Sequence, residues 1–202
     1  MCQITKIEVQ SKDKTRANLY IDDKFCCGIS IELVMKHGLK KDMEIDENYI
    51  REIVLEDEKS KAMNKAVNYI SSSLKTAKQI REYLRKKEYL PETIDYVIDK
   101  MIEYKYLDDE AYAKAYINTY SSKFGKIKLK LNLKQKGVAD TIIDKCLYGE
   151  EEIESSIDRV ASKYLKNKEI NKDTLNKLSR FLYSRGYEFD EINSYISSIQ
   201  SD

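Results

Sequence analysis

The chain has 202 residues, enough for one or two domains with a proper core, and it combines 42 % apolar with 35 % charged residues. Its 6 glycines and lone proline leave few helix breakers, which favours a helical protein. The net charge of +1 hides an acidic front, with 9 Lys/Arg against 13 Asp/Glu in residues 1–58, and a basic stretch, with 11 against 6 in residues 59–107. No apolar run approaches the roughly 18 residues that a membrane-spanning helix needs, and the opening MCQITKIEVQ lacks the basic-then-apolar layout of a signal peptide. A cytoplasmic protein is expected.

In chain order, residues 3–10 place Ile7 and Val9 in alternation, and after the polar SKDKT the residues Ala17, Leu19 and Ile21 alternate again. This predicts a β-hairpin, followed by a turn at Asp22, Asp23 and Lys24 and an extended piece over residues 25–29. Adjacent Cys26 and Cys27 would then point to opposite faces of that strand. With Cys2 and Cys146 they show no C-x-x-C and no metal-ligand spacing, so reduced thiols are expected. Ser30 can cap a helix running to about His37, with Gly38 in position to end it. A second short helix is predicted after Asp46, and the run EDEK over residues 56–59 reads as an acidic linker. Residues 1–58 thus form a small β/α unit.

Beyond the linker one pattern organises the chain. Residues 76–98 (TAKQIREYLRKKEYLPETIDYVI), 125–147 (GKIKLKLNLKQKGVADTIIDKCL) and 174–196 (TLNKLSRFLYSRGYEFDEINSYI) align without gaps at a period of 49. Apolar anchors coincide in all three: Ile80, Leu129 and Leu178; Leu84, Leu133 and Leu182; Ile94, Ile143 and Ile192. The reading is a mainly α protein. Tandem three-helix repeats at 59–107, 108–156 and 157–202 form an elongated curved solenoid behind the β-hairpin-containing unit. N-caps are expected at Ser60, Asp109 and Asp158 for the first helices, and at Thr76, Gly125 and Thr174 for the second, with Pro91 opening a third helix. Matched small residues (Ala62 and Ala111, Ala66 and Ala115) suggest close helix approach. KIKLKLNLK, residues 126–134, alternates like a strand, but its register predicts a helix. Leu129 and Leu133 then face inward, and Ile127 and Leu131 stand outside the core stripe beside lysines.

No GxxxxGK, GxGxxG, GxSxG or HExxH motif occurs, so no enzyme, metal site or cofactor is indicated. His37 reads as a capping or surface residue, Asp108, Asp109 and Glu110 as acids at a helix N-terminus, and residues 150–154 as a solvated connector. The positive charge is more informative. Lys78, Arg81, Arg85, Lys86 and Lys87 lie on the second helix of the first repeat, and Lys126, Lys128, Lys130, Lys134 and Lys136 on that of the second. The third copy offers only Arg180 and Arg185. In a stacked array these would form a basic stripe able to track a phosphate backbone or an acidic protein groove. The tyrosines read as core and rim rather than as a base-stacking platform.

The segments LRKKEYLPETIDYVIDKM, KYLDDEAYAKAYI and LKLNLKQKGVADTIIDKCL together resemble the RecX family of bacterial regulatory proteins, over residues 60–200 and less closely in the third copy. The pattern departs at Glu88, where the glycine present at Gly137 and Gly186 is usual. The resemblance implies a non-enzymatic modulator, usually an inhibitor, of the RecA recombinase. Such a protein lies along the groove of the RecA–DNA filament and limits filament extension, ATP hydrolysis and strand exchange. The basic stripe would face RecA, with single- or double-stranded DNA as a further contact, and a monomer is expected. The residues alone also allow a general DNA-binding helical-repeat module that acts without RecA.

Overall fold

The computed structural model describes residues 2–149 and 156–201. The residues of the predicted acidic connector, 150–154, lie outside them. The chain forms two compact units, one made of Met1–Ser72 with Tyr83–Met101 and the other of Ser73–Glu82 with Ile102–Asp202.

The first unit begins with strands β1 (Cys2–Val9), β2 (Arg16–Ile21) and β3 (Lys24–Ser30), joined as successive hairpins. A two-residue strand β4 (Glu44–Ile45), too short to show in the sequence, completes an antiparallel sheet of order β3-β2-β1-β4. Asp22 (φ 47°) and Asp23 (φ 62°) make the tight turn between β2 and β3. Two left-handed residues there match the strand twist, and Asp tolerates that conformation better than most. One inward face carries Ile4, Leu19 and Ile29 onto Leu33, Leu39, Ile45, Ile50 and Ile53, a single core that explains why an acidic segment folds at all. Helix α1 (Ile31–Lys36) starts on the Ser30 cap, whose Oγ accepts from Leu33 N at 3.2 Å, and Gly38 ends it at φ 59°.

Two expectations change in this unit. The EDEK run is not a linker: helix α2 (Glu47–Ile70) passes straight through it, so Ser60 caps nothing. Asp57 is the reason. It is 2 % exposed, and its carboxylate accepts from Ser30 N (2.9 Å), Arg16 Nη2 (3.0 Å) and Lys61 Nζ (2.6 Å), pinning β2 and the start of α1 to α2. Burial alone would raise its pKa, but the donors of Arg16, Lys61 and Ser30 outweigh that and hold the carboxyl below its usual value. The second change concerns the cysteines. Leu19 pairs with Cys27 but Tyr20 pairs with Phe25, so Cys26 is the extra residue of a β-bulge. Cys26 is exposed at this bulge, and Cys27 beside it is half-buried.

The helical part follows the repeat register where it matters most. Helices α3 (Ala77–Arg85), α6 (Lys126–Gln135) and α9 (Lys172–Ser184) are the three middle helices, and α4 (Pro91–Glu103), α7 (Asp140–Tyr148) and α10 (Phe189–Ser201) are the third ones. The equivalent anchors Ile80, Leu129 and Leu178, and Leu84, Leu133 and Leu182, are all buried. Burial of Leu129 and Leu133 makes α6 a helix despite its two-residue alternation. The first helices, α5 (Asp109–Tyr120) and α8 (Ile157–Leu165) with the end of α2, do not keep the register. Ala62 and Ala66 of α2 are buried as expected, but their counterparts Ala111 and Ala115 are exposed, and α5 buries Ala113 and Ile117 instead.

Capping shifts accordingly. Asp108, not Asp109, caps α5, accepting from Ala111 N at 2.9 Å, while Asp109 accepts from Ala77 N at 3.2 Å. Ser156 rather than Asp158 stands at the N-cap of α8, and Asn171 rather than Thr174 caps α9, which therefore begins a turn early. Thr76 behaves as expected and forms a reciprocal capping box with Gln79.

Within the second unit the start of one middle helix meets the end of the next. Gly125 N and Ile127 N, at the head of α6, donate to Arg185 O and Gly186 O, both at 3.1 Å, just after α9. In the equivalent place Thr76 Oγ1 donates to Lys136 O at 2.6 Å, and Lys78 Nζ to Gln135 O at 3.1 Å. Gly137 (φ 89°) and Gly186 (φ 84°) are required at these joints. A Cβ on Gly137 would lie 2.4 Å from Lys78 Cβ, and one on Gly186 would lie 2.3 Å from Lys128 N. Glu88 takes the same left-handed turn at φ 64° with its residue exposed, which is how the first repeat manages without the glycine.

Candidate binding surface on the middle helices

Helix α6 carries five cations, counting its C-cap Lys136, and no acid. Around its axis these residues fall into distinct rows. Lys126, Lys130 and Lys134, spaced four apart, run against Tyr148, Asp144 and Asp140 on antiparallel α7. Lys126 Nζ sits 5.2 Å from the Tyr148 ring centre, Lys130 Nζ is 2.5 Å from Asp144 Oδ1, and Lys134 Nζ is 2.8 Å from Asp140 Oδ2. The hydrogen bond to Asp144 raises the Lys130 pKa, and that from Lys134 lowers Asp140. Three lysines of the expected stripe are thus held by a ladder inside their own repeat. They remain solvent-accessible, but part of their charge is answered by α7.

Next to this row the ridge of Ile127 (48 % exposed) and Leu131 (46 % exposed) points away from the buried pair Leu129 and Leu133. The ridge was legible in the sequence, and the structure leaves it uncovered among the described residues. On its far side Lys128 is half-buried beside Gly186, and Lys136 lies 5.6 Å from the Tyr116 ring centre. Lys78, Gln79, Glu82, Asn132, Gln135 and Lys136 line a shallow groove of about 390 Å³. Here the helix joint brings the first and second repeats' cations together.

The remaining expected residues scatter more. Arg81 is half-buried on α3, and Arg85, Lys86 and Lys87 are exposed at its end, with Lys87 Nζ 5.9 Å from the Tyr83 ring centre in the first unit. Arg180 is exposed on α9. Arg185 joins the second repeat, its guanidinium 5.7 Å from Phe124 and 5.0 Å from Phe181. His37 is the C-cap residue of α1, bridging Tyr49 Oη (2.8 Å) and Glu56 Oε2 (2.9 Å). Glu110 is bonded to Lys145 (2.8 Å) and Lys114 (3.2 Å), so the acidic triplet serves α5 and its neighbours.

Sequence reasoning missed an aromatic file on α5. Tyr112, Tyr116, Tyr120 and Phe124 stack in turn at 6.4, 4.5 and 6.2 Å between ring centres, half-buried against the repeat core. Three of the rings are met by cations: Tyr116 by Lys136, Tyr120 by Lys123 and Phe124 by Arg185. The signal was the four-residue spacing of these aromatics. Lys123 follows α5 directly, but Lys136 and Arg185 come from the ends of other helices and cannot be read from α5 alone.

A β/α unit followed by three-helix repeats, with a cationic middle helix beside an exposed apolar ridge, defines a helical-repeat protein. The chain belongs to the RecX family of regulatory proteins. The family's N-terminal domain matches residues 2–46, and its first, second and third three-helix domains match residues 62–101, 108–147 and 150–196. A regulatory protein RecX of Clostridium tetani is 37 % identical, covering 98 % of this chain and 94 % of its own length. That of Clostridium acetobutylicum is 38 % identical over 98 % and 97 %. The Bacillus subtilis protein of the same name is 32 % identical over 98 % and 77 %. The crystal structure of a regulatory protein RecX shares the fold with a TM-score of 0.75 at 24 % identity, covering 98 % of this chain and all of the other. That of RecX from Lactobacillus salivarius gives 0.64 at 27 %, covering 72 % of this chain and 99 % of the other.

Proposed function

We propose that this protein binds the RecA–DNA filament and restrains the recombinase, lowering filament extension, ATP hydrolysis and strand exchange. The observation that carries the reading is α6: five cations, no acid, and an apolar ridge exposed between them. A nucleic acid alone has no use for Ile127 and Leu131, whereas a protein surface that is part acidic and part apolar matches both features. The three repeats, taken as 59–107, 108–156 and 157–202, each present a middle helix. Several modest contacts to successive protomers of a filament add up to strong binding. The protein acts as a cytoplasmic monomer, and its regulation involves no catalytic step of its own.

The cations favour one second reading, direct DNA binding without RecA. The two readings separate on one experiment: co-sedimentation with RecA filaments on single-stranded DNA, set against anisotropy on the same DNA naked, across a salt series. Filament regulation predicts strong retention by filaments and weak, steeply salt-dependent binding to naked DNA. Equal affinity for both would replace the first reading with the second.

A further inference from the structure

Strand β1 leaves part of the sheet's edge open. Gln10 N donates to Arg16 O at 2.9 Å. The alternation of an antiparallel ladder then turns the backbone groups of Lys6 and Glu8 towards β2, and those of Ile7 and Val9 away from it. On that outer side β4 and the turn before it reach only as far as Ile4. Its N–H donates to Met43 O at 2.9 Å and its carbonyl accepts from Asp42 N at 2.7 Å. The N–H and C=O of Ile7 and Val9 have no partner among the described residues. Val9 is 49 % exposed, and α1 and α2 pack chiefly over β2 and β3. The opposite edge is closed: Ser30 N donates to Asp57, Gly28 O accepts from Arg16 Nη2, and the Cys26 bulge breaks the line.

An open edge is a template for another strand, and charged side chains usually blunt it by meeting their own kind. Here the spacing does the reverse. Lys6 and Glu8 stand on one exposed face, 3.0 Å apart, on either side of Ile7. We infer that β1 pairs antiparallel with β1 of a second copy, about a two-fold axis at Ile7. Ile7 then exchanges both backbone bonds with its counterpart, Lys6 of each chain faces Glu8 of the other, and Val9 falls opposite Thr5. Moved one residue along, the axis would set Glu8 against Glu8, like charges directly opposite. The contact is isologous and closes at two chains. It spans about five residues a side, against the roughly 20–30 of a standard interface, so the dimer is weak. The chain that meets filaments at low concentration is the monomer, and the dimer gathers at about 0.1 mM and above. The pairing rests on β1 alone and stands whether or not the protein restrains RecA.

Sedimentation equilibrium of the full chain, from about 10 µM to about 1 mM, tests it. The mass should climb from 23.7 kDa towards twice that value. Val9→Pro removes an N–H that bonds nothing in the monomer, at an edge position where proline is tolerated. It should abolish the rise and leave the circular dichroism spectrum unchanged. Lys6→Glu and Glu8→Lys each set like charges opposite one another and should each weaken pairing about tenfold or more. Mixed together, these two variants regain opposite charges at both positions, and the dimer should return. A chain that stays monomeric at every concentration, a dimer that survives Val9→Pro, or a mixture that fails to pair would overturn the inference.

Discussion

Replacing Gly186 with alanine tests the helix joint where its geometry is tightest. The residue sits at φ 84°, and its Cβ would lie 2.3 Å from Lys128 N and 2.8 Å from Lys128 Cα, both backbone atoms that cannot swing aside. Holding a non-glycine residue in the left-handed region costs about 1–2 kcal/mol. Relieving the clash requires the two chain segments to part by about an ångström. That breaks the bonds from Ile127 N to Gly186 O and from Gly125 N to Arg185 O, worth about 0.5–1.5 kcal/mol each. The expected loss is therefore about 2–5 kcal/mol, a large share of the roughly 5–15 kcal/mol that typical domains possess. Urea unfolding followed by circular dichroism measures it. Glu88→Gly is the matched control, because the equivalent turn is already left-handed and exposed. It should leave stability unchanged or raise it by up to about 1 kcal/mol, as strain relief and chain entropy oppose each other. A Gly186→Ala loss below about 1 kcal/mol would refute the close joint.

Asp57→Ala should destabilise the β/α unit by about 3–5 kcal/mol, because it strands the half-buried Arg16 without its carboxylate; chemical denaturation checks this. The folded pKa of Asp57 is depressed, so its contribution is present above the unfolded carboxyl value of about 3.9 and disappears as pH falls through the folded value. The stability difference between wild type and Asp57→Asn should accordingly shrink on acidification, and a gap that stays constant down to acid pH would contradict the carboxylate's pairing with Arg16, Lys61 and Ser30 N. Leu129→Ala should cost about 2–5 kcal/mol in the same assay. Ile127→Asp with Leu131→Asp, on the exposed side of the same helix, should leave the melting temperature nearly unchanged while lowering RecA inhibition at least about tenfold.

What the sequence revealed and what it concealed divide along a physical line. Ile80, Leu129 and Leu178 repeat because each middle helix has the same burial problem, so a fixed spacing exposes the fold. That register was strong enough to overrule the alternation of residues 126–134. Ile127 and Leu131 were visible for the same reason, as apolar residues left over once Leu129 and Leu133 had been assigned to the core. Asp57 was not visible, since an acid pinned by Arg16 and Lys61 from elsewhere looks like any acid in a charged run. The first helices hid their faces because Ala111 and Ala115 copy Ala62 and Ala66 in sequence but not in burial. The rows Lys126, Lys130 and Lys134 and Asp140, Asp144 and Tyr148 are both plain in the sequence. Only the antiparallel packing of α6 on α7 says that they answer each other. The Cys26 bulge depends on pairing with β2, which no local pattern encodes.

The most direct measurement is RecA's ATP hydrolysis on single-stranded DNA while the protein is titrated in far below RecA's own concentration. Restraint of the filament predicts inhibition at those low ratios, largely lost in the Ile127→Asp, Leu131→Asp variant, with little binding to naked DNA at the same salt. Unchanged hydrolysis, accompanied by tight and salt-steep DNA binding, would contradict it.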